Sequence, residues 1–99
     1  MLNIAKTETD GALNIALEGR LDTVASPRLE AELNSSLPGV RSLVFDLEKL
    51  EYISSAGLRV LLFAQKVMNR QGEMKLVRVN STVMDILEVT GFTDLLTIE

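Results

Sequence analysis

The chain has 99 residues, 46% of them hydrophobic, with ten basic and fourteen acidic residues for a net charge of −4. That length suits one domain with a packed core and little room for a second, and the acidic balance argues against the broad basic face that non-specific nucleic-acid binding needs. Cysteine and histidine are both absent, which excludes a disulfide framework, a thiolate metal site and a Ser–His nucleophile.

The opening stretch, MLNIAKTETDG, has no long apolar run and no basic start. It reads as neither a signal peptide nor a membrane span, so the expectation is a soluble, cytoplasmic, single domain over residues 1–99. NIAKTE, residues 3–8, is the first candidate strand. Asp10-Gly11 is a turn dipeptide between extended segments. In ALNIALEG, Leu13, Ile15 and Leu17 alternate with Asn14, Ala16 and Glu18, the period of a half-buried strand. Leu29, Leu33 and Leu37 then recur at helical spacing until Pro38-Gly39 stops the helix. Pro27 is tolerable only in a first turn, so this helix starts near Val24 to Ser26.

SLVFDLEKL, residues 42–50, is short and almost continuously apolar, as a central buried strand would be. YISSAGLRVLL opens the next helix, which spans residues 55–71 and stops at Gly72. EMKLVRV is a fourth strand. STVMDILEVTGF is a third helix with Val83, Ile86 and Leu87 on one face, and LLTIE is a fifth, closing strand. The order predicts an α/β fold, a mixed, mostly parallel sheet of about five strands with an antiparallel edge pair, backed mainly on one face by three or more helices.

The second helix carries the functional signal. On a wheel of roughly 100° per residue, Val60, Leu61, Phe63, Ala64, Val67 and Met68 spread over a core arc, and the charged residues lie opposite. Leu58 and Leu62 fall among the polar residues. With Ser55 and Arg59 they form a stripe expected to face away from the sheet, either a docking patch beside a hydroxyl or apolar side chains tucked under a neighbouring element. One of Ser54 and Ser55 is expected to cap the helix. Gly57 early in a helix costs about 0.5–1 kcal/mol relative to Ala, which is offset if a neighbouring backbone comes close, either the sheet or a partner. A phosphoryl group here would add about −1.5 to −2 charges. It would be tolerated by the helix N-terminus, gaining about 0.3–1 kcal/mol. Under a partner the same uncompensated charge would cost several kcal/mol. Phosphate should therefore spare the fold and switch off docking.

LEGRLDT, LVFDLEKLEYISSAGLRVLL and NSTVMDILEVTGF together resemble the anti-sigma factor antagonists, the bacterial STAS-domain family, over nearly the whole chain. The resemblance implies a non-enzymatic regulator without cofactor or metal. Its partners would be an anti-sigma factor that is also a serine kinase and a metal-dependent serine phosphatase, with no nucleic acid and no membrane. Unphosphorylated, it would bind the kinase and release a sigma factor; phosphorylation of one serine would end the contact. Ser55 lines up with the serine that follows an aspartate in many members, and here Ser54 stands at that aspartate's position, leaving Ser54 as the alternative acceptor. Asp22 matches a family position near the acceptor and either joins the contact surface or caps a turn. The expected partner surface is thus Asp22, Ser54, Ser55, Gly57, Leu58, Arg59 and Leu62. Asp46 is expected to cap the turn carrying Ser55 or orient its hydroxyl, and Asn80 and Ser81 either to cap the third helix or to rim the same surface. The free protein is expected to be a monomer. The alternative reading is a STAS module serving as a regulatory subunit of another assembly, transporter-associated or sensory.

Overall fold

A computed structural model describes the whole chain, Met1–Glu99. It runs β1 (Leu2–Thr9), β2 (Ala12–Leu21), α1 (Ser26–Ser36), β3 (Ser42–Ile53), α2 (Ser55–Gln71), β4 (Glu73–Val77) and α3 (Ser81–Val89), then a short 3-10 turn at Phe92–Asp94. The β1–β2 hairpin turns on Asp10 and Gly11, whose φ angles are 49° and 82°. Two successive left-handed residues give a tight turn whose twist matches the flanking strands, and it sets Thr9 opposite Ala12.

The sheet order is β1-β2-β3-β4. β1 is antiparallel to β2, whereas β2, β3 and β4 run parallel. Strands are therefore added in one direction across the sheet, and crossovers of one hand leave α1 and α2 on one face. Alternation along β2 shows which face: Leu13, Ile15, Leu17 and Leu21 are buried under the helices, and Asn14, Ala16, Glu18 and Arg20 are exposed on the other side. A single core joins side chains from all four strands, all three helices and Leu96. No helix is long and apolar enough to cross a membrane.

Two expectations change. The fifth strand is only a bridge between Ile98 and Leu76. Leu76 N–H donates to the Thr97 carbonyl at 2.8 Å and Glu99 N–H to the Leu76 carbonyl at 2.9 Å. The 3-10 turn takes up Phe92–Asp94 and Leu96 turns into the core, so too little chain remains to run beside β4. The sheet has four strands rather than about five. In addition, β3 continues past Leu50 to Ile53. Ala16 faces Asp46 but Glu18 faces Lys49, and Gly19 faces Leu50 while Arg20 faces Tyr52. Each slip inserts one extra β3 residue, a bulge. Leu47, Leu50 and Ile53 are all buried at a spacing of three, which breaks the period of two by which a strand is recognised.

Asn80 holds the first bulge in place. Its Nδ2 donates to the carbonyls of Leu47 and Glu48, each at 3.1 Å, and of Leu50 at 2.8 Å. Its Oδ1 accepts from Val83 N–H at 2.9 Å, the N-cap expected for α3.

Candidate functional site

The start of α2 is laid against the end of β2. Ser54 is extended, with φ −83° and ψ 170°, and its N–H donates to the Leu21 carbonyl at 2.8 Å. Its hydroxyl accepts from Gly57 N–H at 3.1 Å, satisfying one of the free donors of the first turn. That cap is buried, with 7% of Ser54 exposed. Ser55, the first helical residue, is exposed. Two adjacent hydroxyls thus have separate fates, one closed into the cap and one open to solvent beside the positive end of the helix dipole.

Gly57 is explained by the sheet. A Cβ there would stand 2.7 Å from Leu21 Cγ, 2.8 Å from the Leu21 carbonyl oxygen and 3.0 Å from Ile53 Cγ2. Only a residue without a side chain lets the first turn approach this closely.

The same contact sets the rotation of α2 and corrects the expected outward stripe. Ser55 and Arg59 are exposed and Leu62 is half-buried, but Leu58 is in the core with 4% exposed. With Gly57 turned to Leu21 and Ile53, the buried residues Leu61, Ala64 and Met68 follow at helical spacing. Leu58 stands roughly 60° from Leu61 and falls within that arc. Gln65 is buried for the same reason. Its amide donates to Asn69 Oδ1 at 2.9 Å and its carbonyl accepts from Thr97 N–H at 3.4 Å. Phe63 and Val67, expected in the core, are only half-buried.

Asp22 begins the turn into α1. Its Oδ1 accepts from Ala25 N–H at 2.8 Å, and its carbonyl accepts from Ser26 N–H at 2.9 Å and from the Ser26 hydroxyl at 2.6 Å. The carboxylate is therefore engaged in holding its own turn. Because Leu21 is bonded to Ser54, this turn and the start of α2 are neighbours in space. Between the two helix starts lies a cleft of about 420 Å³, bordered by Thr23, Ser26, Glu30, Ala56 and Arg59. Val24, 87% exposed in the same turn, did not stand out in the sequence; its one signal is an apolar residue inside the polar loop DTVASP.

Asp46 lies elsewhere and neither caps the Ser55 turn nor reaches its hydroxyl. It sits between Phe45 and Leu47, both buried, so strand alternation turns it to the open face, level with Ala16 and Val77. Its Oδ1 accepts from Glu48 N–H at 3.1 Å, and its Oδ2 accepts from Arg78 Nε at 3.1 Å and from Arg78 Nη2. The guanidinium holds the carboxyl below the usual carboxylate range, against an opposing push from burial and with a further contribution from Glu48 N–H.

Known proteins share this arrangement of elements. Residues 3–99 match the STAS domain family. BtrV of Bordetella bronchiseptica is 38% identical over 93 residues, covering 92% of this chain and 80% of its own. The anti-sigma-B factor antagonist of Staphylococcus aureus is 30% identical over 97 residues, covering 96% and 90%. Among solved structures, the anti-sigma factor antagonist SpoIIAA in its unphosphorylated form superimposes with a TM-score of 0.84 at 19% identity, covering 98% of this chain and 88% of its own. SpoIIAA of Bacillus in the phosphorylated form gives 0.76 at 18%, covering 98% and 91%. At those identities the structural likeness is one of fold. With the family match running over nearly the whole length and the sheet and helices agreeing, the chain belongs to the STAS domain family, the family of the anti-sigma factor antagonists.

Proposed function

We propose that this protein is an anti-sigma factor antagonist that works by partner switching, with Ser55 as the phosphoacceptor. Unphosphorylated, it binds an anti-sigma factor that is also a serine kinase, and a sigma factor is released. Phosphorylation of Ser55 ends that contact, and a metal-dependent serine phosphatase restores it. The protein acts in the cytoplasm, as a monomer when free, and is a regulator rather than an enzyme.

The observation that carries this reading is the division of the serine pair. Ser54 is buried with its hydroxyl committed to Gly57, while Ser55 is exposed at the first position of α2. A kinase reaches the second without disturbing the cap. Magnitudes support a switch in binding rather than in folding: about 0.3–1 kcal/mol of favourable dipole interaction in the free protein, against several kcal/mol for a phosphate shut beneath a partner. A relative named for antagonising an anti-sigma factor, and the occurrence of SpoIIAA in unphosphorylated and phosphorylated forms, point the same way.

The test incubates the purified protein with each anti-sigma factor of its host genome and ATP, and locates added phosphate by mass spectrometry. Phosphate is expected on Ser55 and absent from Ser55→Ala, and Ser55→Glu is expected to fold normally and bind the kinase at least about tenfold more weakly. Phosphate confined to another residue, or full-strength binding by Ser55→Glu, overturns the reading.

A further inference from the structure

A docking surface needs an apolar centre that loses its water on binding. The helix that carries Ser55 supplies little of one, since Leu58 belongs to the core and Leu62 is half-buried. The strongly exposed large apolar residues are Met1, Val24, Val89 and Leu95. Met1 precedes the edge strand, and Val89 and Leu95 lie at and beyond the end of α3. Val24 alone belongs to the turn that is bonded to the start of α2. We propose that Val24 is the apolar anchor of the surface around Ser55, seated against an apolar side chain of the anti-sigma factor. This rests on the partner-switching reading and adds to it the residue that holds the partner.

A single exposed valine is ordinary and needs no explanation. Two features set Val24 apart. Its turn is pinned on both sides: Asp22 Oδ1 holds Ala25 N–H, the Asp22 carbonyl holds the backbone and hydroxyl of Ser26, and Ala25 itself is in the core. The valine is thus held outward in one place, and little freedom remains to be lost when a partner covers it. The turn is also tied to the switch, through Leu21 to Ser54 and through the contact of Gly57 with Leu21. The start of α2 is therefore fixed to the residue from which the turn of Val24 departs.

The cleft that the same turn borders through Thr23 defines the partner further. Thr23 is on its rim, Glu30 stands on the α1 side and Arg59 on the α2 side. Both charged residues are exposed and neither takes part in an ion pair within the chain. The segment that fits carries an apolar side chain flanked by a basic group for Glu30 and an acidic group for Arg59. A phosphate on Ser55 adds negative charge beside that acidic group and next to the apolar contact, so the anchor and the switch oppose each other across one small area.

The test uses the full chain and a purified anti-sigma factor from the host genome, chosen because it binds the unmodified chain. Val24→Ala is compared with Val89→Ala, which removes an equally exposed valine (87% in both cases) from the far end of α3. Titration calorimetry is expected to show about a tenfold loss of affinity for Val24→Ala, from two methyl groups no longer buried. Val89→Ala is expected to bind as the unmodified chain does. Thermal unfolding of Val24→Ala should match the unmodified chain, since the side chain touches solvent rather than the core. Affinity within about twofold for Val24→Ala, or an equal loss for Val89→Ala, overturns the anchor. If Ser55→Glu still loses binding in that case, partner switching stands without it. If no anti-sigma factor of the genome binds the unmodified chain, both fall.

Discussion

Helices α2 and α3 begin in the same way. Ser54 and Asn80 are both extended, at φ −83°, ψ 170° and φ −74°, ψ 167°. Each accepts from the N–H three residues on, at Gly57 and Val83, and each is followed by an exposed serine, Ser55 or Ser81. Capping chemistry therefore does not mark a functional serine. What differs is the surroundings. At α3 the third residue is Val83, fully buried, and the nearby surface is charged, with Glu48, Lys49 and Glu51 beside Thr82. At α2 the third residue has to be glycine because β2 ends against it. That close approach brings the first turn of α2 against the end of β2, from which the turn carrying Val24 departs, and leaves the cleft open between the two helix starts. A helix start becomes a contact surface through its neighbours, not through its cap.

This comparison can be broken at several points. Leu58→Ala should have the largest effect, about 2–5 kcal/mol of lost stability in urea or thermal unfolding. A variant as stable as the unmodified chain would return Leu58 to the surface and erase the contrast. Asn80→Ala should cost about 2–3 kcal/mol, because it removes the α3 cap and also strips the donor from the bulge carbonyls of Leu47 and Leu50. Ser54→Ala removes only a cap, and about 1 kcal/mol is expected from the same measurement. Equal losses would show that Asn80 does nothing for the bulge. Ser81→Glu sharpens the comparison from the binding side. It puts a negative charge at the matching position of α3 and should leave partner affinity unchanged where Ser55→Glu weakens it.

The smallest effect belongs to Asp46, whose carboxyl is held below its usual range by Arg78, the residue two before the α3 cap. A lowered value in the folded state means a contribution to stability that is present above the unfolded-state value of about 4 and is lost as pH falls through the folded value. The difference in thermal midpoint between the unmodified chain and Asp46→Asn should be small at pH 7, begin to shrink as pH falls below about 4, and vanish once pH is below the folded value. A difference that grows on acidification would show that the ion pair is not its source.

Much of the architecture was legible because single elements declare themselves by period and punctuation. Alternation in β2, the Asp10-Gly11 turn, Pro27 in the first turn of α1 and Gly72 after α2 were all readable without neighbours. The end of β3 was not, because its bulges replace a spacing of two by a spacing of three, and the side chain that stabilises the first, Asn80, is 30 residues or more away. The orientation of α2 was not legible either. A helix with apolar residues on most of its circumference has no unique inner face, so Leu58 and Phe63 exchanged places relative to expectation.

By itself the sequence determined the order and kind of the elements as far as the third helix, and the presence of two hydroxyls at a helix start, because hydrophobic period, turn residues and cap residues act over a few neighbouring positions. Only the tertiary structure decided which serine is open, which leucine is buried and which exposed valine lies in the turn that leaves β2 next to the start of α2. Those outcomes depend on where β2 ends against α2, and a contact between Leu21 and Gly57 is set by the packing of the whole sheet rather than by either segment alone.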